Sequence, residues 1–318
     1  MGGRYFAAWS VPALGVVAPI AAGVVGLGAI AVPTEARADR CTRGADGSYR
    51  CAMINVNQSH GGNTGTSCTG KADTRTVVYQ VPEGTPPAGG WPVAFWYNGT
   101  TLIAPRKPDG PTTYGPFSPV IDAFGFRFVA QTLHELLDDP TGTGKKYAVV
   151  MPAANNQLIG LELWDTNRSI PYETSSDACF LPALWSAMAG GAYGPASNFN
   201  LDRRYAFGFS SGAYNTSRMA VSWNADNVWK ALVIQSGSYA TCLGLRCSVP
   251  ASQPANNPPT KFYHGRTDLL VPISTMYPYH DRLAALGVPT ALQINNRGHV
   301  LTSDLVGPTG VKAWFDRY

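Results

Sequence analysis

Between Tyr205 and Ala220 the chain reads "YAFGFSSGAYNTSRMA", with two adjacent serines inside Gly208-Phe209-Ser210-Ser211-Gly212. A serine hydroxyl is a weak nucleophile at neutral pH. It needs a base to take its proton and an acid to hold that base in one tautomer. Gly-x-Ser-x-Gly between an apolar run and a helical pattern spells a sharp strand-to-helix turn that lifts its middle side chain clear of the sheet. The turn is too tight for side chains on either flank, hence the glycines. The middle position, Ser210, is the candidate nucleophile. Ser211 stands one place later, where its backbone N–H can face a developing oxyanion.

The base and acid must follow the serine if the chain order is Ser, then Asp or Glu, then His. Three histidines follow: His264, His280 and His299. His264, in "FYHGRTD", precedes the best acid and reads as a strand-end residue supporting the site. His280 and Asp281 lie in a helical stretch, "MYPYHDRLAALG", and read as surface groups. His299, in "NNRGHV", follows the last strand-like run, and a loop at the carboxyl end of a strand is where a base belongs. Asp268 sits just after the run "TKFYHG" and before His299, so it is the candidate acid. Asp304 comes too late in the order. A second oxyanion donor is expected from the loop after an earlier strand. "AFWYNGTT" offers Asn98, Gly99 or Thr100 through a backbone N–H, and Asn98 through its side chain as well. The alternative for this stretch is a plain Asn-Gly turn.

The elements that must position these groups read as short apolar strands spaced by helices. "TRTVVYQV", "WPVAFWYN", "YAVVM", "RRYAFGF", "KALVIQS", "TKFYHG" and "PTALQIN" are strand-like, and "FRFVA" joins them as a short apolar run. Helices are expected over 211–223, 274–286 and the terminal "VKAWFDRY". This alternation predicts an α/β fold, a mostly parallel central sheet with helices on both faces. The connection between "YAVVM" and "RRYAFGF" is long and is expected to shape the acyl pocket. Trp96, Tyr97, Trp164 and Trp185 are candidates for a cleft lining or a polymer contact, with core packing as the alternative for each.

The first 38 residues read as a secretory signal peptide: Arg4, an apolar stretch from Val11 to Val32, and an Ala36-Arg37-Ala38 cleavage site. The apolar stretch is also long enough to serve as an uncleaved anchor. Cleavage leaves residues 39–318 as a single catalytic domain. Its first part, 39–71, rich in Cys, Gly, Asn and Ser, is expected to be an irregular segment held by cystines. All six cysteines lie after the cleavage site, an even number that reads as disulfides in an exported chain. Cys242 and Cys247 are close enough in sequence to close a short loop. Neither a Cys-x-x-Cys pair nor a Cys/His cluster of zinc spacing appears, so no metal is expected. The chain's net charge of +4, without any Lys/Arg run, argues against nucleic acid as a partner.

The assembled residues resemble a family. "GFSSGAYNTSRMAVSW", "KALVIQSGSYATCLGLRC", "PPTKFYHGRTDLLVP" and the final "GH" are similar to the extracellular medium-chain-length polyhydroxyalkanoate depolymerases, secreted serine esterases of the α/β-hydrolase fold. The resemblance is strongest over 205–268 and looser over 75–156, where "FWYNGTT" resembles the family's oxyanion segment. It implies Ser210 as nucleophile, Asp268 as acid, His299 as base and Asn98 in the oxyanion hole. It further implies an insoluble aliphatic polyester or its oligomers as substrate, no cofactor, and no stable membrane association after cleavage. Two alternatives stay open. One is a broader esterase acting on polylactide, short acyl or feruloyl-type esters. The other is a polymer-binding protein that keeps the fold without the chemistry.

Overall fold

The computed structural model describes residues 39–102, 110–114, 124–158, 161–167, 171–242 and 246–318. These belong to one compact unit, Arg37–Tyr318. The signal peptide expected at 1–38 lies outside the described residues.

Three strands open the unit: β1 (Cys41–Arg43), β2 (Tyr49–Gly62) and β3 (Gly70–Gln80). They are followed by β4 (Trp91–Tyr97), β5 (Thr101–Leu102), β6 (Gly110–Tyr114) and helix α1 (Arg127–Asp138). After β7 (Ala148–Pro152) the long connection carries β8 (Asn155–Leu158), β9 (Leu161–Leu163) and α2 (Ser176–Ala189). The second half alternates β10 (Phe199–Phe209), α3 (Ser211–Ser222), β11 (Trp229–Gln235), β12 (Thr260–Gly265), α4 (Tyr277–Ala285), β13 (Thr290–Asn295) and α5 (Val311–Phe315).

The main sheet runs β1-β2-β3-β7-β4-β10-β11-β12-β13, with β6 also on β2. From β7 to β13 every pairing is parallel, and β3 is antiparallel to both of its neighbours. Parallel strands need covered faces. The two-residue period of the strands supplies one apolar set to each. Ala94, Trp96, Tyr205, Phe207, Ala231 and Val233 pack on α1 and α5. Val93, Phe95, Tyr97, Ala206 and Leu232 face α2 and the end of α3. The fold is thus the expected α/β-hydrolase, with the serine turn at the top of a central strand. Phe207 is buried with its ring 4.8 Å from that of Trp96, and truncating it to Ala should cost about 3–5 kcal/mol.

Two expectations need correction. The 39–71 segment is largely strand, not irregular. Cys51, Met53 and Asn55 point inward on alternate positions of β2 while their neighbours are more exposed. A polar residue on the inward face and the surrounding Gly and Ser hide that alternation in the sequence. The segment is tied by Cys41–Cys51, which join paired residues of β1 and β2, and by Cys68–Cys179, which reaches α2. Second, "FRFVA" opens helix α1 rather than a strand. Its buried residues Val129, Ala130, Leu133, Leu136 and Leu137 recur at helical spacing, a pattern visible only when the window extends past Ala130.

Candidate active site

Helix α3 begins two residues after β10 ends, and Ser210 alone makes the turn, with φ 54° and ψ −122°. A non-glycine residue at positive φ is strained and persists only where its surroundings over-determine it. Here they do. Ser210 N–H donates to Gln235 O at 3.0 Å, and Ser210 O accepts from Ala213 N–H at 2.9 Å. A Cβ on Gly212 would collide with Tyr97 O, and one on Gly208 with Gly212 O. The two glycines therefore let α3 close against β10 and β4. Ser211 is the first helical residue, so its N–H has no acceptor within the helix and is available at the positive end of α3.

The Asn98-Gly99 loop leaves β4 beside this turn. A Cβ built on Gly99 would stand 3.2 Å from Ser210 Cβ and 3.0 Å from Phe209 Cδ1, so backbone passes directly beside the serine. Asn98 Nδ2 donates to Gly99 O at 2.9 Å, and Asn98 O accepts from Trp164 Nε1–H at 3.0 Å. The geometry brings Asn98, Gly99, Ser210 and Ser211 to one place at the carboxyl end of the sheet.

Asp268 and His299 meet on the loops after β12 and β13. His299 Nδ1 lies 2.8 Å from Asp268 Oδ2. Because a carboxylate can only accept, Nδ1 carries the proton, and Nε2 is left as the basic nitrogen. The other oxygen, Asp268 Oδ1, accepts from Leu270 N–H at 3.0 Å and Val271 N–H at 2.9 Å. Burial pushes the Asp268 carboxyl up. The hydrogen bonds from His299 and Val271 and the nearby histidines outweigh it and hold the group below its ordinary value. The two loops are laced by backbone bonds, Arg266 N–H to Asn295 O and Thr267 N–H to Arg297 O. The Phe209 ring lies 4.8 Å from the His299 imidazole, which sets that ring next to the residue preceding Ser210.

His264 stands behind this pair. Its buried Nε2 donates to Val271 O at 2.8 Å and lies 3.6 Å from Asp268 Oδ2. Burial lowers its proton affinity, and its bond to Val271 O ties it to the Asp268 loop. His280 is on α4, with Nδ1 2.8 Å from the exposed Asp281 carboxylate, away from the site. Asp304 accepts from Asn295 and Thr302. The four aromatic candidates for a cleft or polymer contact are all buried. Trp96 and Trp185 are core residues. Trp164 and Tyr97 pack against each other beneath the Asn98 loop. Among the described residues one group of possible metal ligands gathers, Cys41, His134 and Asp138, and Cys41 is committed to its cystine.

Two supporting residues, Gln235 and Arg218, escape sequence reasoning, and Trp164, expected at a cleft or polymer contact, is a third support. Gln235 accepts the Ser210 N–H and, through Nε2, donates to Val300 O at 3.3 Å, joining the serine turn to the His299 loop. Trp164 N–H donates to Ser211 Oγ at 3.0 Å. Arg218 reaches from α3 to Thr166 O at 2.9 Å and Thr166 Oγ1 at 3.1 Å, anchoring the long connection. Gln235, at the end of the apolar run "KALVIQ", is the available signal. Cys242 and Cys247 do close a short loop.

Over 256 residues, 79% of this chain and 82% of the relative, the sequence is 41% identical to the poly(3-hydroxyoctanoate) depolymerase of Pseudomonas fluorescens. No family model matches. Among solved structures, a Bacillus cereus carboxylesterase is 15% identical with a TM-score of 0.47, covering 76% of this chain and 94% of its own. The esterase domain of a Rhodothermus marinus protein is 12% identical with a TM-score of 0.46, covering 84% and 98%.

Proposed function

The chain belongs to the medium-chain-length polyhydroxyalkanoate depolymerase family and is a carboxylic ester hydrolase; from that premise we propose that it is a secreted serine esterase cleaving medium-chain polyhydroxyalkanoate through Ser210, His299 and Asp268. The observation that carries the triad is the 2.8 Å bond from His299 Nδ1 to Asp268 Oδ2, on the loops that follow β13 and β12, beside the strained Ser210 turn on β10.

In this reading His299 Nε2 takes the Ser210 proton as Oγ attacks the ester carbonyl. The tetrahedral oxyanion is held by the Ser211 N–H and by a donor from the Asn98-Gly99 loop, an arrangement worth roughly 3–4 kcal/mol per donor in other hydrolases. Collapse expels the alcohol end of the polymer, which takes its proton from His299. Water then enters, gives its proton to His299, and attacks the acyl-enzyme; collapse returns a proton to Ser210 and releases the hydroxyacid end. Asp268 holds the imidazole in the reactive tautomer and stabilises its charged form. The three cystines support an oxidising destination, and residues 1–38 are the proposed export signal.

The test is clearing and acid release on suspended medium-chain polyhydroxyalkanoate, short-chain polyhydroxyalkanoate and polylactide, for wild type and Ser210→Ala. Wild-type clearing of the medium-chain polymer, abolished in the variant, is expected. Clearing of another polyester alone would keep the triad and discard the substrate. Clearing by Ser210→Ala at the wild-type rate would overturn the nucleophile.

A further inference from the structure

Among the described residues, four large hydrophobic side chains are exposed: Phe124, Leu269, Leu270 and Leu286. Single exposed apolar residues are ordinary, whereas clustered ones mark interaction surfaces. Three of these four lie on or beside the segments that carry Asp268 and His299. Leu269 and Leu270 directly follow Asp268 and are 89% and 67% exposed. Phe124 lies beside the His299 loop, where Phe124 O accepts the N–H of Leu301, two residues past His299.

The leucines cannot easily turn inward. Both ends of their turn are pinned: Asp268 is buried and its Oδ1 accepts from Leu270 and Val271 N–H, and Val271 is buried with its carbonyl bonded to His264. The same turn that orients the acid therefore holds two leucines out in water. Their neighbours on the loop, Arg266 and Thr267, are exposed as well, and none of the buried tryptophans reaches the surface here.

We infer that Leu269 and Leu270, flanked by Phe124, form the surface by which the enzyme seats on solid aliphatic polyester. This rests on the polyester reading above. The occupant is a polymer surface because the two leucines directly follow Asp268, whose carboxylate holds His299, and Phe124 is bonded to the segment leaving His299, so the exposed side chains adjoin the candidate triad itself. An apolar solid docked there delivers its chains to Ser210, and side chains that are aliphatic and uncharged match aliphatic polyester. Aliphatic contact is non-directional and scales with area removed from water. The patch therefore requires no particular chain register in the solid.

Adsorption and catalysis are separated by measuring them in different backgrounds. Binding to suspended medium-chain polyhydroxyalkanoate is measured by depletion for Ser210→Ala and for Ser210→Ala combined with Leu269→Ser and Leu270→Ser. Clearing of the same suspension and turnover of soluble p-nitrophenyl octanoate are measured for wild type, Leu269→Ser and the Leu269→Ser/Leu270→Ser pair. Leu269 is almost wholly exposed, so its single variant has little packing to lose. The expected result is a tenfold or greater loss of adsorption and clearing in the pair, a smaller loss in the single variant, and soluble-ester turnover within twofold of wild type. Unchanged adsorption would overturn the inference, and so would an equal loss on polymer and soluble ester. Failure of the functional reading has a different signature: no clearing by wild type, whatever the adsorption.

Discussion

Trp164 and Ser211 are joined by a hydrogen bond from the tryptophan's backbone N–H to the serine hydroxyl, 3.0 Å long and fully buried. The same tryptophan donates its indole N–H to Asn98 O. One residue from the long connection thus fastens the loop after β4 to the start of α3. The second serine of the pair is a support, and its hydroxyl is already engaged. Ser211→Ala should leave the Trp164 N–H buried without a partner and cost about 1–3 kcal/mol. Thermal unfolding should register that loss, while ester hydrolysis persists well above the level of Ser210→Ala. Loss of all turnover in Ser211→Ala with a normal melting temperature would contradict this division of roles.

A second buried contact fixes the same connection from below. Arg75 Nη1 lies 2.6 Å from Asp177 Oδ1, both side chains being out of solvent, and Asp177 Oδ2 accepts the Asp165 N–H. Asp177→Ala strands the guanidinium and should cost about 3–5 kcal/mol in urea unfolding. Replacing both partners by apolar residues, Arg75→Met with Asp177→Leu, should recover much of that. No recovery in the pair would mean that the loss comes from the Asp165 contact rather than the unpaired charge.

The part of this architecture legible in the sequence was the part governed by local rules. Gly208 and Gly212 announce a tight turn, and the order of Ser210, Asp268 and His299 along alternating strands is a matter of chain direction alone. What was hidden depends on the third dimension. Helix α1 is hidden because the run "FRFVA" that opens it reads as well for a strand, and β2 because polar Asn55 shares its inward face with Cys51 and Met53. Helix α3 is buried along 211–220 even though it carries Asn215, Thr216, Ser217 and Arg218. No amphipathic pattern could show that, because the partners of such a face, Thr166 among them, come from remote loops. The burial of Trp96, Trp164 and Trp185, and the exposure of Leu269 and Leu270, follow from the same cause.

Acid stability should carry the mark of Asp268. Its folded-state pKa lies below the ordinary carboxylate value. Its contribution is therefore present above the unfolded-state pKa of about 4 and is lost as pH falls through the lower folded value. Asp268→Asn should unfold more easily than wild type at pH 7, with the gap closing as the pH falls through the folded-state value. A gap independent of pH would show that the carboxylate charge is not what the His299 bond rewards.

The cystines should differ in what they contribute. Cys68–Cys179 spans 111 residues of sequence and Cys242–Cys247 only 5. Closing loops of these sizes restricts the unfolded chain by about 5 and about 2 kcal/mol. Serine pairs at the two sites, compared by unfolding under non-reducing conditions, should rank in that order. The reverse ranking would point to a folded-state role for the short loop.

The most direct test of the central claim is covalent trapping. A p-nitrophenyl alkylphosphonate ester reacts with an activated serine and stays attached, so peptide mass mapping of the inhibited enzyme identifies the nucleophile. A single adduct on Ser210, absent from Ser210→Ala and kept in Ser211→Ala, is the predicted result. An adduct on Ser211, or undiminished labelling and hydrolysis in Ser210→Ala, would contradict it.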